Sequence, residues 1–197
     1  MEATQPEHKS PAPGPLEVVR SFVNSNDVEA GTDQLGDPAA LGDWLVEAGL
    51  LDPEAAGGLG PADLRRVVAV REALRAVLLA HAGEPLDAAG PMSVLNAAAE
   101  RAPLVVRIVD EGRAELVPVA PGVDAAVGRL LAIVERAIVD GTWTRLKVCR
   151  WDTCQWAFYD ASKNRSGSWC SMAVCGNRAK AASYRQRRRS EGQSGRG

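Results

Sequence analysis

The last quarter of this chain is constrained by its cysteines. There are only four, and they stand as Cys149-x4-Cys154-x15-Cys170-x4-Cys175. Two close pairs separated by a hairpin-sized insert suit one tetrahedral ion: two short loops each present two sulfurs, and the insert lets the chain fold back. Two disulfides would use the same residues in one of three connectivities. The opening Met1-Glu2-Ala3-Thr4-Gln5-Pro6 lacks a basic then apolar leader, so the chain is expected in the reducing cytosol, where disulfides are rare. An iron–sulfur cluster also takes four cysteines, but nothing else in the sequence suggests electron transfer. Structural Zn²⁺ held by Cys149, Cys154, Cys170 and Cys175 is the preferred reading.

The overall charge of −2 conceals two opposite regions. Residues 1–144 carry 11 Lys+Arg against 22 Asp+Glu, a net of −11, whereas residues 145–197 carry 12 against 3, a net of +9. Such asymmetry marks the basic part as the candidate surface for a polyanion. At 197 residues the chain has room for one medium domain and a small module. The expected division is a disordered tail over 1–14, a regulatory domain over 15–144, the metal module over 145–189 and a second tail over 190–197. No apolar run is long enough to span a membrane, and a soluble cytoplasmic protein is expected.

Apolar spacing predicts an α+β fold, mostly helical before the module, with one β-hairpin. Leu16, Val19, Phe22 and Val23 share a helix face, and Asp37-Pro38 places a cap and a first-turn proline on a second helix that stops near Gly49. The Gly57-Gly58-Leu59-Gly60-Pro61 stretch lacks the Lys-Ser/Thr ending of a phosphate loop and reads as a connector. A helix from Pro61 to about Ala82 puts Leu64, Val67, Val68, Leu74 and Leu78 on one stripe. A shorter helix is predicted over Met92–Arg101. The period then changes to two over Leu104–Val109 and Ala114–Val119 around Gly112, which reads as a hairpin. Asp124 is a candidate cap for a last helix that buries Val127, Leu130, Leu131, Val134 and Ile138. Because both stripes lie before the module, its unfolding is expected to leave the first domain intact.

Four thiolates on one Zn²⁺ leave a charge near −2 to be balanced. Arg150, Arg165 and Arg178 flank the ligands, and a helix beginning after Cys170, capped by Ser171, would add its N-terminal dipole. Gly176 would leave room for close approach to a sulfur. Phe158, Trp169 and neighbouring tryptophans suit packing around a metal in a module too small for a larger core, with base stacking as the alternative. The following helix carries Arg178, Lys180, Arg185, Arg187, Arg188 and Arg189. A solvated end is the plain reading; the adjacent metal module favours phosphate contact.

Cys149-x4-Cys154, Phe158-Tyr159-Asp160-Ala161-Ser162-Lys163-Asn164, Trp169-Cys170-Ser171-Met172 and Cys175-Gly176-Asn177-Arg178-Ala179-Lys180 resemble the CGNR zinc finger. In that family the module follows an N-terminal domain called ABATE, described as a "putative stress-induced transcription regulator", and the Phe22-Val23-Asn24 segment, hairpin and last helix resemble its layout. The resemblance implies zinc and transcriptional control. Members often carry an arginine pair just before the Trp-Cys, where this chain has Arg165-Ser166-Gly167-Ser168. If such arginines hold DNA, binding here is weaker or leans more on the helix.

His8 and His81 lack metal spacing to the cysteines, and no nucleophile or nucleotide motif is present. The chain is therefore expected to be no enzyme but a zinc-dependent DNA-binding transcriptional regulator. A protein-interaction adaptor docking an acidic partner is the alternative, followed by a small-molecule sensor acting through the N-terminal domain.

Overall fold

In the computed structural model, residues 11–194 are described, with side chains through Ser190. The expected tails at 1–14 and 190–197 fall partly outside these residues, as does His8. Ala12 is buried and its N–H donates to Glu17, while the last helix continues to Ser194.

Helix α1 (Leu16–Asn24) buries Leu16, Val19, Phe22 and Val23. A two-residue ladder follows, β1 (Asn26–Asp27) with β2 (Thr32–Asp33). Helix α2 (Pro38–Glu47) starts where Asp37 accepts the Ala40 N–H at 2.9 Å and ends ahead of Gly49 at φ +69°, the left-handed conformation glycine reaches without strain. A single turn, α3 (Pro53–Ala56), leads to α4 (Pro61–His81). The Gly60 N–H donates to Asp63 at 2.9 Å and Pro61 occupies the first helical position, so the glycine-rich stretch is a helix entry.

Helix α4 is the spine. It buries Val67, Val70, Leu74, Val77 and Leu78, whereas Leu64 and Val68 are half-buried. Full burial of a Leu or Val side chain contributes about 1.5–3 kcal/mol, so Leu78→Ala, at 0% exposure, costs roughly 2–5 kcal/mol. Two arginines interrupt the stripe. Arg71, 2% exposed, forks onto Asp33 through two bonds of 2.7 Å and also donates to Glu72 and the Ser25 hydroxyl. This bidentate pair fixes the β1–β2 ladder against the helix.

Helix α5 (Ala89–Arg101) begins three residues before the predicted start. Strands β3 (Leu104–Asp110) and β4 (Arg113–Pro118) form the predicted antiparallel hairpin. Its base rests on α6 (Gly122–Val139) at Gly128, where a Cβ would lie 3.2 Å from Leu104 and 3.4 Å from Pro118. Beyond that base Val106 and Ile108 are 67% and 73% exposed. Two expectations for α6 change. Asp124 is not the cap but lies inside the first turn and accepts from Arg66 at 3.2 Å. Ile138 is 56% exposed, and Ala137, one position earlier, takes the buried place, so the buried face is turned away from Ile138.

After a 3₁₀ turn (Trp143–Arg145), β5 (Leu146–Val148) and β6 (Ala157–Tyr159) pair antiparallel. Leu146, Val148 and Ala157 are fully buried within the same core as Val19, Leu74 and Leu78. The expectation of an N-terminal core independent of the module is thereby corrected: the module's own hairpin completes it. Helix α7 (Asn177–Ser194) ends the described chain. No described helix is long and apolar enough to cross a membrane.

Candidate metal centre and basic helix

The β5–β6 hairpin carries Cys149 just past its first strand and Cys154 on the connecting turn, where Gln155 takes φ +48°. Cys170 precedes a π-helical turn (Met172–Gly176) that holds Cys175 and feeds directly into α7. In that turn the Gly176 N–H donates to the Ser171 carbonyl at 3.0 Å. Ser171 is extended at the helix entry but makes no side-chain cap. Nor does Gly176 leave room for a loop: a Cβ there would lie 2.8 Å from the Met172 sulfur and 3.5 Å from the Trp169 ring, so these side chains fill the space.

All four cysteines are buried and their Sγ atoms lie within 4.8 Å of one another. Cys154 and Cys170 are 3.6 Å apart, Cys170 and Cys175 3.7 Å. Sulfurs set tetrahedrally at about 2.3 Å from one zinc stand about 3.8 Å apart, so the four are positioned to bind one metal ion, as Zn²⁺ requires. Their proton chemistry leads to the same conclusion. Thiol hydrogen bonds from Cys154 and Cys170, with the Cys170 and Trp151 N–H groups, lower the Cys149 pKa to about 2. The neighbouring Cys149 thiolate and burial push Cys154 up to about 12, and the Cys170 thiol also rises beside Cys149 and Cys154. Burial, then the same thiolate, raises Cys175. Each further ionisation beside a charged thiolate is opposed by its neighbours, so four thiolates need a cation among them.

Phe158, wholly buried, packs with the sulfurs, and Trp151, Trp156 and Trp169 close over them half-buried. The expected electrostatic neighbours are arranged differently. Arg150 bonds to Glu84, Arg178 donates to Glu29 at 2.6 Å, and the Arg165 carbonyl accepts from Lys147. Arg178 still lies within Coulombic reach of Cys175 and Cys154, and its pKa is raised chiefly by the Glu29 bond.

Sequence reasoning missed the groups that fasten the module to the body. The Asn24 side chain acts as a strand edge: its Nδ2 donates to the Ala157 carbonyl at 3.0 Å and its Oδ1 accepts the Ala157 N–H at 2.7 Å. Arg75, 5% exposed, donates to the Gln155 carbonyl in the metal turn at 2.8 Å and to the Val23 carbonyl at 2.6 Å. His81 Nδ1 lies 2.9 Å from the Leu146 carbonyl with its ring edge-on to Trp143, and burial lowers its pKa. Within the module, Lys147 and Asp160 form a buried ion pair at 2.9 Å. Burial alone would raise the Asp160 pKa, but bonds from Ser162, Lys147 and the Gly167 N–H hold it well below the carboxylate range. Lys147 sits between two buried β5 residues, a weak hint of a partner.

Helix α7 exposes Arg178, Lys180, Arg185, Arg187, Arg188 and Arg189. Among the described side chains only Arg178 of these six has an ion pair.

A helical body completed by a four-sulfur knuckle with a basic helix defines a zinc-finger-type protein with a helical N-terminal domain. Residues 16–141 match the ABATE family, described as "putative stress-induced transcription regulator", and residues 145–188 match the CGNR zinc finger. The chain belongs to the ABATE family and ends in a CGNR zinc finger. A comparison with curated proteins gives no match. Both matched families are of regulator and zinc-finger type rather than enzymatic.

Proposed function

We propose that this chain is a DNA-binding transcriptional regulator of the cytoplasm, in which Cys149, Cys154, Cys170 and Cys175 hold one Zn²⁺ that seats helix α7 for contact with phosphates. The observation that carries the reading is the row of exposed cations at Lys180, Arg185, Arg187, Arg188 and Arg189, which have no carboxylate partner among the described side chains, rooted on the metal knuckle of an otherwise acidic chain. Cations without internal partners are available to an external polyanion, and each phosphate neutralised releases a counterion. Arginine serves phosphate and base edge alike, so the reading assigns contact without a sequence.

The adaptor alternative has one observation in its favour: α7 already accepts a carboxylate, that of Glu29. For the sensor alternative, an open groove of about 810 Å³ between α1, α2, β4 and α6 offers Arg113, Arg129 and Arg136 beside apolar walls. Anisotropy with a labelled DNA duplex across a salt series decides among them. Binding that weakens steeply with salt, by roughly 0.9 log unit per log salt for each phosphate, is expected; absence of DNA binding by zinc-loaded protein, with an acidic protein partner recovered after nuclease treatment, gives the adaptor reading instead.

A further inference from the structure

The six cations of α7 do not form one surface. At 100° per residue, Lys180, Ser183 and Arg187 share one side of the helix, while Arg178, Arg185 and Arg189 lie on the opposite side. The structure distinguishes these two sides. Arg178 is bonded to Glu29 beside the β1–β2 ladder, so its side of the helix starts against the body that carries the net charge of −11. A polyanion approaching there meets like charge.

On the other side a cleft of about 330 Å³ runs between the Trp169 ring and the helix, lined by Trp169, Gly176, Ala179, Lys180, Ser183 and Arg187. A second hollow continues it past Ser183, Gln186, Arg187 and Ser190. The small Ala179 side chain leaves room in the cleft, Trp169 is half-buried, and Lys180 and Arg187 bracket the Ser183 hydroxyl. Two cations, a hydroxyl donor and a partly exposed aromatic ring suit a phosphate–deoxyribose step: charge and hydrogen bonds for the phosphate, the ring for the sugar or its base.

We infer that DNA is held on the Trp169–Lys180–Ser183–Arg187 side of α7, with Trp169 in contact with the nucleic acid, and that Arg185 and Arg189 lie away from it. This rests on the DNA-binding reading above and narrows it to one side of one helix.

The test uses full-length zinc-loaded protein and a labelled mixed-sequence duplex, comparing Lys180→Ala/Arg187→Ala with Arg185→Ala/Arg189→Ala. The two variants remove equal charge at exposed positions, and zinc content and helix signal are measured for each. The first pair should weaken binding tenfold or more and flatten the log–log salt slope by nearly two, while the second changes affinity less than threefold. Arg187→Glu alone, remote from the cysteines, should weaken binding tenfold or more, whereas Arg189→Glu should change it less than threefold. DNA should alter tryptophan emission in the parent and lose most of that effect in Trp169→Phe. Equal losses for the two pairs, or an emission change that persists in Trp169→Phe, overturn the sided interface while leaving DNA binding intact. Unchanged affinity in both pairs with zinc retained removes α7 from the interface and overturns the proposal, whereas no binding by the zinc-loaded parent overturns the DNA-binding reading itself.

Discussion

Helices α4 and α7 both carry several arginines and use them in opposite ways. On α4, Arg71 and Arg75 are 2% and 5% exposed and hold carboxylates and backbone carbonyls from α1, the β1–β2 ladder and the metal turn. On α7 the arginines stand in solvent, and only Arg178 is paired among the described side chains. A buried guanidinium must have all its bonds met inside the fold, because an unmet buried charge costs several kcal/mol. Exposed guanidiniums carry no such demand and are free to meet a ligand. The contrast separates arginines that build this protein from those available for its work.

The largest effect should come from the metal that joins the two regions. Structural zinc contributes about 10–16 kcal/mol in small modules, and the β5–β6 hairpin shares the body's core. Cys170→Ser or chelation should therefore cost helix signal across the body as well as changing tryptophan emission. A body that keeps its full thermal transition after chelation would restore two independent units. Next, Arg75→Ala leaves the Gln155 and Val23 carbonyls and Glu72 without a buried cation and should cost about 3–5 kcal/mol by urea unfolding. A loss below about 1 kcal/mol would erase the distinction drawn between the two helices.

A smaller, pH-dependent effect belongs to Asp160. Its folded pKa is depressed below the ordinary 3.8, so its contribution is present above that value and is lost as pH falls through it toward the folded pKa. Between those two values it makes stability fall by about 1.4 kcal/mol per pH unit. Asp160→Asn should remove that proton from the acid limb of a stability–pH curve measured with metal content followed in parallel, and an unaltered limb would assign acid sensitivity elsewhere. Smallest of all, Arg185→Ala/Arg188→Ala should shift unfolding by no more than about 0.5 kcal/mol, since both side chains are exposed and neither has an ion pair among the described side chains.

Much of this was legible before the structure. Four cysteines with no spare residue and two short spacings leave one economical grouping, and the structure brings those four together. The α4 stripe and the Leu104–Pro118 hairpin follow from periods of 3.6 and 2. The fastening of module to body was not legible. A helical Arg is ordinarily a surface residue, and nothing local to Arg75 points to a carbonyl at Gln155. Asn24 likewise looks like a helix-ending residue until β6 lies beside it. Ile138 follows the α6 apolar period yet is exposed while Ala137 is buried, because several apolar faces overlap on this helix and periodicity alone does not choose which one the body covers.

The completion of the first core by β5 and β6 also bears on the order of events at the ribosome. The helices through Val139 emerge before Leu146, Val148 and Ala157, so the body waits with its last core positions open. At roughly 5–20 residues per second, synthesis from Gly141 to Tyr159 takes about one to four seconds, during which those apolar surfaces of α1 and α4 stand in water. Burying that nascent face depends on the same hairpin that presents two of the sulfurs, which makes the final quarter of the chain a latch on the folding of the rest.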